Sequence, residues 1–336
     1  MQPITPNMPE REYRAHPLPS WSAVSRLLDM SPAEWRHQQN APRAESASMI
    51  WGTLLHATVL EPHRLDSMLC VAPEVIKTGA TVGGEKGAYT VPGSAETFAT
   101  KAEAQSALLA WTHTDALGVA WRTQAEAQAD VARIVGDRYP VTAELLADLH
   151  ERAAVAVALL PDGDYEVAMR GSIEGQQCKG RADIIAKRGT LDGVGGGVFR
   201  GLQALLDVKT TADVPPDAVQ RAATQRRWFG QLWTYGQLAR QNGHAVDAYG
   251  ILIVQAPHLT YAGGVLGLSD RYQPRTHARI VPIGVEGVAH GRAEAIRAWR
   301  TYLDCTLRDH WPDWSIEPLA PSRWAVEAEP EAQEWT

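Results

Sequence analysis

The sequence has few cysteines and no long apolar run. Cys70, Cys178 and Cys305 are far apart and form no Cys-x-x-Cys pair. They cannot supply a four-thiolate metal cluster or a disulfide framework, so we expect reduced, buried thiols. No stretch of about 18 apolar residues is present. The first residues also lack the basic-then-apolar order of a signal peptide, and we therefore expect a cytoplasmic protein.

Positive charge is scarce as well. The chain of 336 residues has a formal net charge of −7, with 32 Lys and Arg against 39 Asp and Glu. This balance argues against a protein coated in basic surface, so a nucleic-acid partner would have to be held in a local basic groove. A composition of 45% hydrophobic and 21% charged residues is typical of a soluble globular protein with a substantial core.

The apolar pattern divides the chain into three parts. Residues 1–20 are rich in proline and polar groups, which predicts an extended N-terminal segment. Residues 21–317 are predicted to form a single domain, with a helical part at about 21–160 and a sheet core at about 161–310. Residues 318–336 are acidic with little periodic apolar pattern, so we expect a flexible tail.

Helical spacing dominates the first half. Two short helices are predicted in SAVSRLLDMSPAEWRHQQ, the second with Pro32 in its first turn. A longer helix is predicted in SASMIWGTLLHATVLEP, with serines at its start and Pro62 at its end. Alanine-rich helices are predicted at about 101–135 and 142–160, and the glycine-rich stretch 77–97 predicts a mobile loop or a partly ordered insertion.

A period of two begins at Tyr165. YEVAMRGSIEG and CKGRADIIAKR predict strands joined by a turn. GTLDGVGGGVFRG imitates a phosphate-cradling loop, but it leads into the strand LQALLDVKTT and not into a helix, so a hairpin tip is the favoured interpretation. A helix at about 216–241, the strand AYGILIVQA and a helix near 287–308 complete an α/β pattern, which predicts a mixed central sheet flanked by helices.

Charged residues within the strand LLDVKTTAD indicate a site. Asp207 and Lys209 are two positions apart, so they share one strand face, while Leu206 and Val208 point into the opposite layer. Asp183, on the preceding strand, can come alongside. Two converging carboxylates repel each other unless a cation lies between them, and oxygen ligands without thiolate favour Mg²⁺ or Mn²⁺. With Lys209 to position a water molecule, the set suits hydrolysis of a phosphodiester.

The alternative for Asp207 and Lys209 is an ordinary ion pair at a strand end, which is what an isolated Asp-x-Lys most often forms. The wider pattern favours a site, because Asp183 lies about two dozen positions upstream and a helix with Gln231 and Tyr235 lies about as far downstream. Plain packing against the sheet would also explain those last two residues, since they are one helical turn apart and share their face with an aromatic neighbour.

This series of motifs resembles the PD-(D/E)xK nuclease superfamily, and within it the exodeoxyribonuclease VIII (RecE-type) phage recombination exonucleases. The resemblance runs from about residue 22 to about residue 310. SRLLDMSPAEW is similar to the family's first helix and Ser-Pro turn, and WGTLLHATVLEP to its Gly-x-x-x-His helix with Leu-Glu-Pro. LLPDGDYEVAM, KGRADII, LLDVKTTAD and FGQLWTYGQLA are similar to its core strands and its Gln-x-x-x-Tyr helix. Ala182 stands where the superfamily's name has proline.

The resemblance implies a catalytic set and a metal set. The catalytic set is Glu166, Asp183, Asp207, Lys209, Gln231 and Tyr235. The metal set is His56, Asp183, Asp207 and the Val208 carbonyl, with Mg²⁺ as the ion and Mn²⁺ as its substitute. A lone histidine on a helix is more often a core residue, and a glutamate at the start of a strand is commonly a solvated edge residue. His56 and Glu166 are therefore assigned to the site only because of their positions in the motifs.

Arginines indicate where DNA would bind. Arg221, Arg226 and Arg227 form the densest basic cluster, shortly before Gln231, as a groove that follows phosphates requires. A solvated helix face is the alternative. The resemblance adds Arg26, because it implies an arginine near the first helix that holds the 5′-phosphate.

The resemblance implies a Mg²⁺-dependent 5′-to-3′ exonuclease that acts on double-stranded DNA ends. Such an enzyme leaves 3′ single strands for a partner annealing protein in phage-type recombination, in the host cytoplasm, and forms a homo-oligomeric ring around DNA. Two alternatives stay open: another repair or end-processing nuclease of the superfamily, and a catalytically silent DNA-binding module. The intact set of Asp183, Asp207 and Lys209 argues against the silent module.

Overall fold

The computed structural model describes residues 4–5, 8–39, 45–71, 136–262, 265–272 and 276–314, together with short pieces between 76 and 121. The helices are α1 (Glu10–Ala15), α2 (Trp21–Val24), α3 (Pro32–Gln38), α4 (Ala47–Leu60), α5 (Leu65–Met68), α6 (Ala143–Val157), α7 (Pro216–Gln225), α8 (Trp228–Gln241) and α9 (Val285–Arg308). Short 3₁₀ helices span Ser25–Leu28, Pro62–Arg64 and Gly195–Gly197.

The strands are short in the first half and long in the second. The first group is β1 (Leu69–Val71), β2 (Ile76–Lys77), β3 (Gly83–Glu85), β4 (Ala88–Thr90), β5 (Thr97–Phe98), β6 (His113–Thr114), β7 (Ala120–Trp121) and β8 (Tyr139–Val141). The second group is β9 (Gly163–Ile173), β10 (Gln176–Ala186), β11 (Ala204–Thr211), β12 (Ala248–Gln255), β13 (Leu259–Ala262), β14 (Val265–Leu268) and β15 (Ala278–Pro282).

A five-stranded mixed sheet with the order β15-β12-β11-β10-β9 carries the site. Strand β11 runs parallel to β12, and the other neighbours are antiparallel. A four-stranded sheet has the order β1-β8-β14-β13, and two three-stranded sheets join β2-β6-β7 and β3-β4-β5. The predicted α/β class, with a mixed sheet flanked by helices, is confirmed. No helix in the described part of the chain is long and apolar enough to cross a membrane.

Alternating residues of the central strands fill two cores on opposite faces of the sheet. Leu205 of β11 belongs to the core that contains α2, α8 and α9. Leu206 and Val208 belong to the core that contains α4 and α6. Because side chains alternate along a strand, Asp207 and Lys209 lie on the α8 face, as the sequence predicts.

Helix α8 packs closely on β10 at Gly180. A Cβ atom at this position would lie 2.7 Å from Leu238 Cδ1 and 2.9 Å from Tyr235 Cδ1, so any side chain would push the helix away. The missing side chain therefore allows the approach that brings the N-terminal half of α8 next to β11.

Two predicted elements differ in the structure. The helix predicted at 216–241 is broken into α7 and α8, because Arg227 has the left-handed φ of 59°. Within the segment predicted as extended, residues Glu10–Ala15 form α1. Its last turn is held by buried Lys179, whose Nζ donates to the carbonyl oxygens of Tyr13 and His16 at 2.6 Å each. Sequence periodicity misses so short a helix, because a distant strand stabilises it.

Other predictions fall partly or wholly outside the described residues. The helix predicted at about 101–135 lies mostly outside them, and the described strands β6 and β7 fall within its range. The glycine-rich stretch 77–97 contains β3 and β4. The acidic tail, 318–336, lies outside the described residues. All three cysteines are unpaired thiols, but Cys70 is partly exposed, so the expectation of burial is wrong there.

Candidate active site

A cleft of about 1180 Å³ opens between the central sheet and helices α1 and α4. Predicted site residues that line this cleft are His56, Glu166, Asp183, Val208, Lys209, Arg226 and Tyr235. Asp207 and Gln231 do not line it, but both contact Lys209. The fold thus gathers the predicted catalytic set around one cavity from strands and helices that are far apart in sequence.

His56, Glu166 and Asp183 form a compact group in the cleft. His56 Nε2 lies 3.2 Å from Glu166 Oε1 and 3.3 Å from Asp183 Oδ1. The three ligand atoms all lie within 4.8 Å of one another. Glu166 Oε1 is buried and accepts no hydrogen bond, so its lone pairs are available to a cation. Two carboxylates and one imidazole are a donor set that fits a divalent ion such as Mg²⁺ or Mn²⁺.

The backbone at Glu166 is strained. Its φ is 55°, in the left-handed region that a residue with a side chain rarely adopts within a strand. The register pairs Ala182 with Val167 and Ile184 with Tyr165, so Glu166 stands opposite Asp183. Strain of this kind costs on the order of 1–3 kcal/mol and is concentrated at functional sites. Here it coincides with two facing carboxylates.

Asp183 also ends the ladder between β10 and β11. The antiparallel register runs from Ala186 and Ala204 to Ile184 and Leu206 and stops there. The amide nitrogen of Val208 then donates to Asp183 Oδ2 at 2.7 Å. One oxygen of Asp183 is therefore fixed by the neighbouring strand, while the other faces His56.

Asp207, Lys209 and Gln231 form a closed triangle of polar contacts. Lys209 Nζ lies 2.6 Å from Asp207 Oδ2 and donates to Gln231 Oε1 at 3.0 Å. Gln231 Nε2 donates to Asp207 Oδ1 at 2.8 Å. The side chain of Asp207 is only 1% exposed, so this is no ordinary surface ion pair. With both oxygens so engaged, Asp207 lies outside the group formed by His56, Glu166 and Asp183.

Burial makes two of the carboxyl groups weaker acids than exposed carboxyl groups are. Burial raises the pKa of Glu166 to about 7, although His56 acts in the opposite direction. Burial likewise raises the pKa of Asp207 to about 6, against the lowering effect of Lys209. Burial thus favours the neutral form of both groups, and a nearby positive charge favours the charged form.

His56 supplies that positive charge in the metal-free protein. Burial alone would lower the pKa of His56, but Asp183 and Glu166 outweigh it and raise the pKa to about 9. For Asp183 burial acts to raise the pKa, and the neighbouring His56 imidazolium outweighs it, so that the pKa is lowered. At neutral pH the imidazolium lies between the two carboxylates, where a divalent cation would have to replace its proton.

A second group of charged residues, which no sequence motif indicated as part of a site, lies beside the first. It consists of Glu10, Glu61, Arg64 and Arg181. The Arg181 guanidinium contacts three different carboxylates: Nε lies against Glu166, one terminal nitrogen against Glu10 and the other against Glu61. The available signal was position: Arg181 precedes Asp183 by two residues on β10, and Glu61 is the acidic residue of Leu-Glu-Pro.

Of the four arginines predicted to bind DNA, Arg226 alone lines the cleft. Its guanidinium donates to the Thr210 carbonyl at 3.2 Å and lies 5.9 Å from the Trp228 ring. It has no acidic partner among the described residues. Arg221, by contrast, is exposed and pairs with Asp217 at 2.7 Å.

The other two predicted DNA-binding arginines have local partners. Arg227 pairs with Asp29 and Glu294 at 2.6 Å each, which joins α8 to α9 and to the N-terminal helices. Arg26 contacts Gln38 and does not line the cleft. Their contacts indicate a packing role, and the prediction that they bind DNA is without support from this geometry.

No family model and no curated protein sequence matches the chain. Among solved structures, a proposed exonuclease from Eubacterium rectale is similar at 13% identity and a TM-score of 0.49, over 98% of this chain and 99% of that one. A phage-related exonuclease from Haemophilus somnus 129PT is similar at 15% identity and a TM-score of 0.29, over 62% of this chain and 89% of that one. Similarity at this level assigns no family.

We expect the contribution of His56 to stability to depend on pH. Because its pKa is raised to about 9, the imidazolium stabilises the metal-free fold fully below about pH 6.5, and this contribution is lost as the pH rises through 9. His56→Gln should therefore lower the free energy of unfolding by a few kcal/mol at pH 6 and by much less at pH 10. Urea unfolding in the presence of a chelator measures both values.

The exposed His150 of α6 provides the control, and His150→Gln should change the free energy of unfolding little at either pH. If His56→Gln lowers the free energy of unfolding equally at pH 6 and pH 10, the ion-pair assignment is contradicted and His56 acts by packing.

Proposed function

We propose that the chain is a divalent-metal-dependent nuclease that hydrolyses phosphodiester bonds in DNA. The observation that carries the proposal is the convergence of His56, Glu166 and Asp183 within 4.8 Å, in a cleft that Lys209 also lines. The donor set suits a hard divalent cation, and a lysine beside such an ion suits a reaction in which negative charge develops on phosphate oxygens.

A divalent ion, when bound, would polarise the phosphate and make a water molecule more acidic. His56, Glu166 and Asp183 are the residues that would hold it. Lys209 faces the cleft and donates hydrogen bonds, so its ammonium group can orient the attacking water and stabilise the developing charge. Asp207 and Gln231 fix Lys209 at 2.6 Å and 3.0 Å, which keeps its ammonium group in place.

DNA would reach this centre along the cleft. Arg226, which has no acidic partner among the described residues, lies on its wall, and its planar guanidinium suits a phosphate. The buried phenol of Tyr235 also lines the cleft, and burial raises its pKa well above the ordinary value, so it is a neutral hydrogen-bond donor. These groups support a backbone-binding role without base readout.

The finer part of the proposal is supported by the motif resemblance. It comprises Mg²⁺ as the ion, 5′-to-3′ digestion of double-stranded ends, and a role in phage-type recombination with a single-strand annealing protein. A homo-oligomeric ring around DNA belongs to the same proposal, and it would allow an acidic protein to stay on its substrate.

Linear duplex labelled at one end tests both the reaction and its direction. With Mg²⁺ present, we expect a 5′-label to be released early, a 3′-label to be released late, and a closed circular duplex to persist. Asp183→Asn and Lys209→Ala should each lower the rate at least about 100-fold, since one removes a metal ligand and the other a group that acts in the transition state.

Lys187→Ala is the matched control, because Lys187 is an exposed lysine paired with Asp162 on the surface, and this variant should cleave at the wild-type rate. Digestion by folded Asp183→Asn at the wild-type rate would overturn the site. Binding of duplex without cleavage by the wild type, in either Mg²⁺ or Mn²⁺, would favour the silent DNA-binding module.

Arg221, on α7, and Arg226, at its C-terminal end, distinguish DNA binding in the cleft from a general effect of surface charge. Arg226→Ala should weaken binding of duplex DNA. It should also reduce the magnitude of the slope of log affinity against log salt concentration by about 1, the value for one phosphate contact. Arg221→Ala removes the same charge outside the cleft and should change that slope little. Fluorescence anisotropy at several salt concentrations, in the Lys209→Ala background, measures both. Equal slopes for the two variants would show that the cleft does not bind the DNA backbone.

A further inference from the structure

Arg181 has an arrangement that the proposed reaction does not by itself require. Its side chain is about 10% exposed, and each of its three guanidinium nitrogens lies against a different carboxylate. Nε is 2.6 Å from Glu166 Oε2, one terminal nitrogen is 2.6 Å from Glu10 Oε2, and the other is 3.1 Å from Glu61 Oε1. The two terminal nitrogens donate hydrogen bonds to Glu10 and Glu61, and Nε forms a close ion pair with Glu166 that lacks hydrogen-bond geometry.

We propose that Arg181 is the positioning residue that sets Glu166 as a metal ligand. The inference rests on the proposed function, since it concerns the same metal site. Arg181 contacts Glu166 Oε2, which leaves Oε1 as the oxygen that faces His56 and accepts no hydrogen bond. Because Arg181 occupies Oε2, Oε1 is the oxygen that is available to the cation.

The backbone makes this support necessary. Glu166 has a φ of 55° and stands opposite Asp183, so both local strain and charge repulsion act against the observed position of its carboxylate. In the described structure the groups that hold this carboxylate are His56 and Arg181. Arg181 lies on Oε2, the oxygen that does not face His56.

Arginine suits this position better than lysine does. A lysine carries the same charge on one nitrogen, so it cannot contact Glu166, Glu10 and Glu61 at the same time through a fixed planar fork. Glu10 and Glu61 in turn hold the two terminal nitrogens, which fixes the direction of Nε. Helix α1 and the end of α4 are thereby connected to the geometry of the metal site.

Arg64 is a matched control within the same cluster. It contacts Glu61 and lies 3.3 Å from Glu10 Oε2, and it makes no ion pair with Glu166 in the described part of the chain. Removing either arginine takes one positive charge from the same acidic surroundings. Only the removal of Arg181 releases a carboxylate of the candidate metal group.

Calorimetric titration of Mn²⁺ into the DNA-free protein tests the inference. Arg181→Met and Arg181→Lys should each weaken Mn²⁺ binding by about 10-fold to 100-fold, the range found when a group that orients a metal ligand is removed. Arg64→Met and Arg64→Lys should change the affinity by less than about 3-fold. Circular dichroism and urea unfolding identify the variants that fold, and the lysine pair decides the comparison if a methionine variant does not fold.

The outcomes separate this inference from the proposed function. Absence of Mn²⁺ binding by the wild type would overturn the proposed metal-dependent nuclease itself. If folded Arg181→Lys binds Mn²⁺ with the affinity of the wild type, the positioning role alone is overturned. Equal weakening in the Arg181 and Arg64 variants would also overturn it, because it would show that the total charge of the cluster matters and the contact with Glu166 does not.

Discussion

Repulsion between Glu166 and Asp183 is the constraint on which the rest of the site depends. The two carboxylates stand opposite each other on β9 and β10, and both are largely buried. A cation between its oxygens or protonation of one carboxylate relieves this repulsion, and the protonated His56 lies within 3.3 Å of both groups. Asp183 and Glu166 raise the pKa of His56 to about 9, in the direction expected where neighbouring carboxylates favour a positive charge.

The surrounding structure fixes one oxygen of each carboxylate and leaves the other free. Val208 donates its amide hydrogen to Asp183 Oδ2, and Arg181 lies against Glu166 Oε2. The remaining oxygens converge on His56. Lys209 is held separately, by Asp207 and Gln231 beneath the cleft, so its ammonium group is placed beside the centre without neutralising it. In the proposed function, metal binding and the positioning of water or phosphate are therefore the tasks of different groups.

Much of this arrangement could be predicted from the sequence. Strand alternation predicts Asp207 and Lys209 on one face, where the structure has them, and the motif resemblance implied that His56 lies at the same site as Asp183. Contacts over long sequence distances could not be predicted in this way. Arg181 contacts Glu10 of α1 and Glu61, and Gln231 donates a hydrogen bond to Asp207. The left-handed backbones of Glu166 and Arg227 run against the local preference of residues with side chains, so sequence patterns do not predict them.

Anomalous X-ray diffraction from crystals grown with Mn²⁺ would test the central claim most directly. We expect a peak within bonding distance of His56 Nε2, Asp183 Oδ1 and Glu166 Oε1, with Arg181 still against Glu166 Oε2. A peak only at Glu10 and Glu61, or an empty cleft in which His56 remains between the two carboxylates at saturating Mn²⁺, would contradict a catalytic metal at this position.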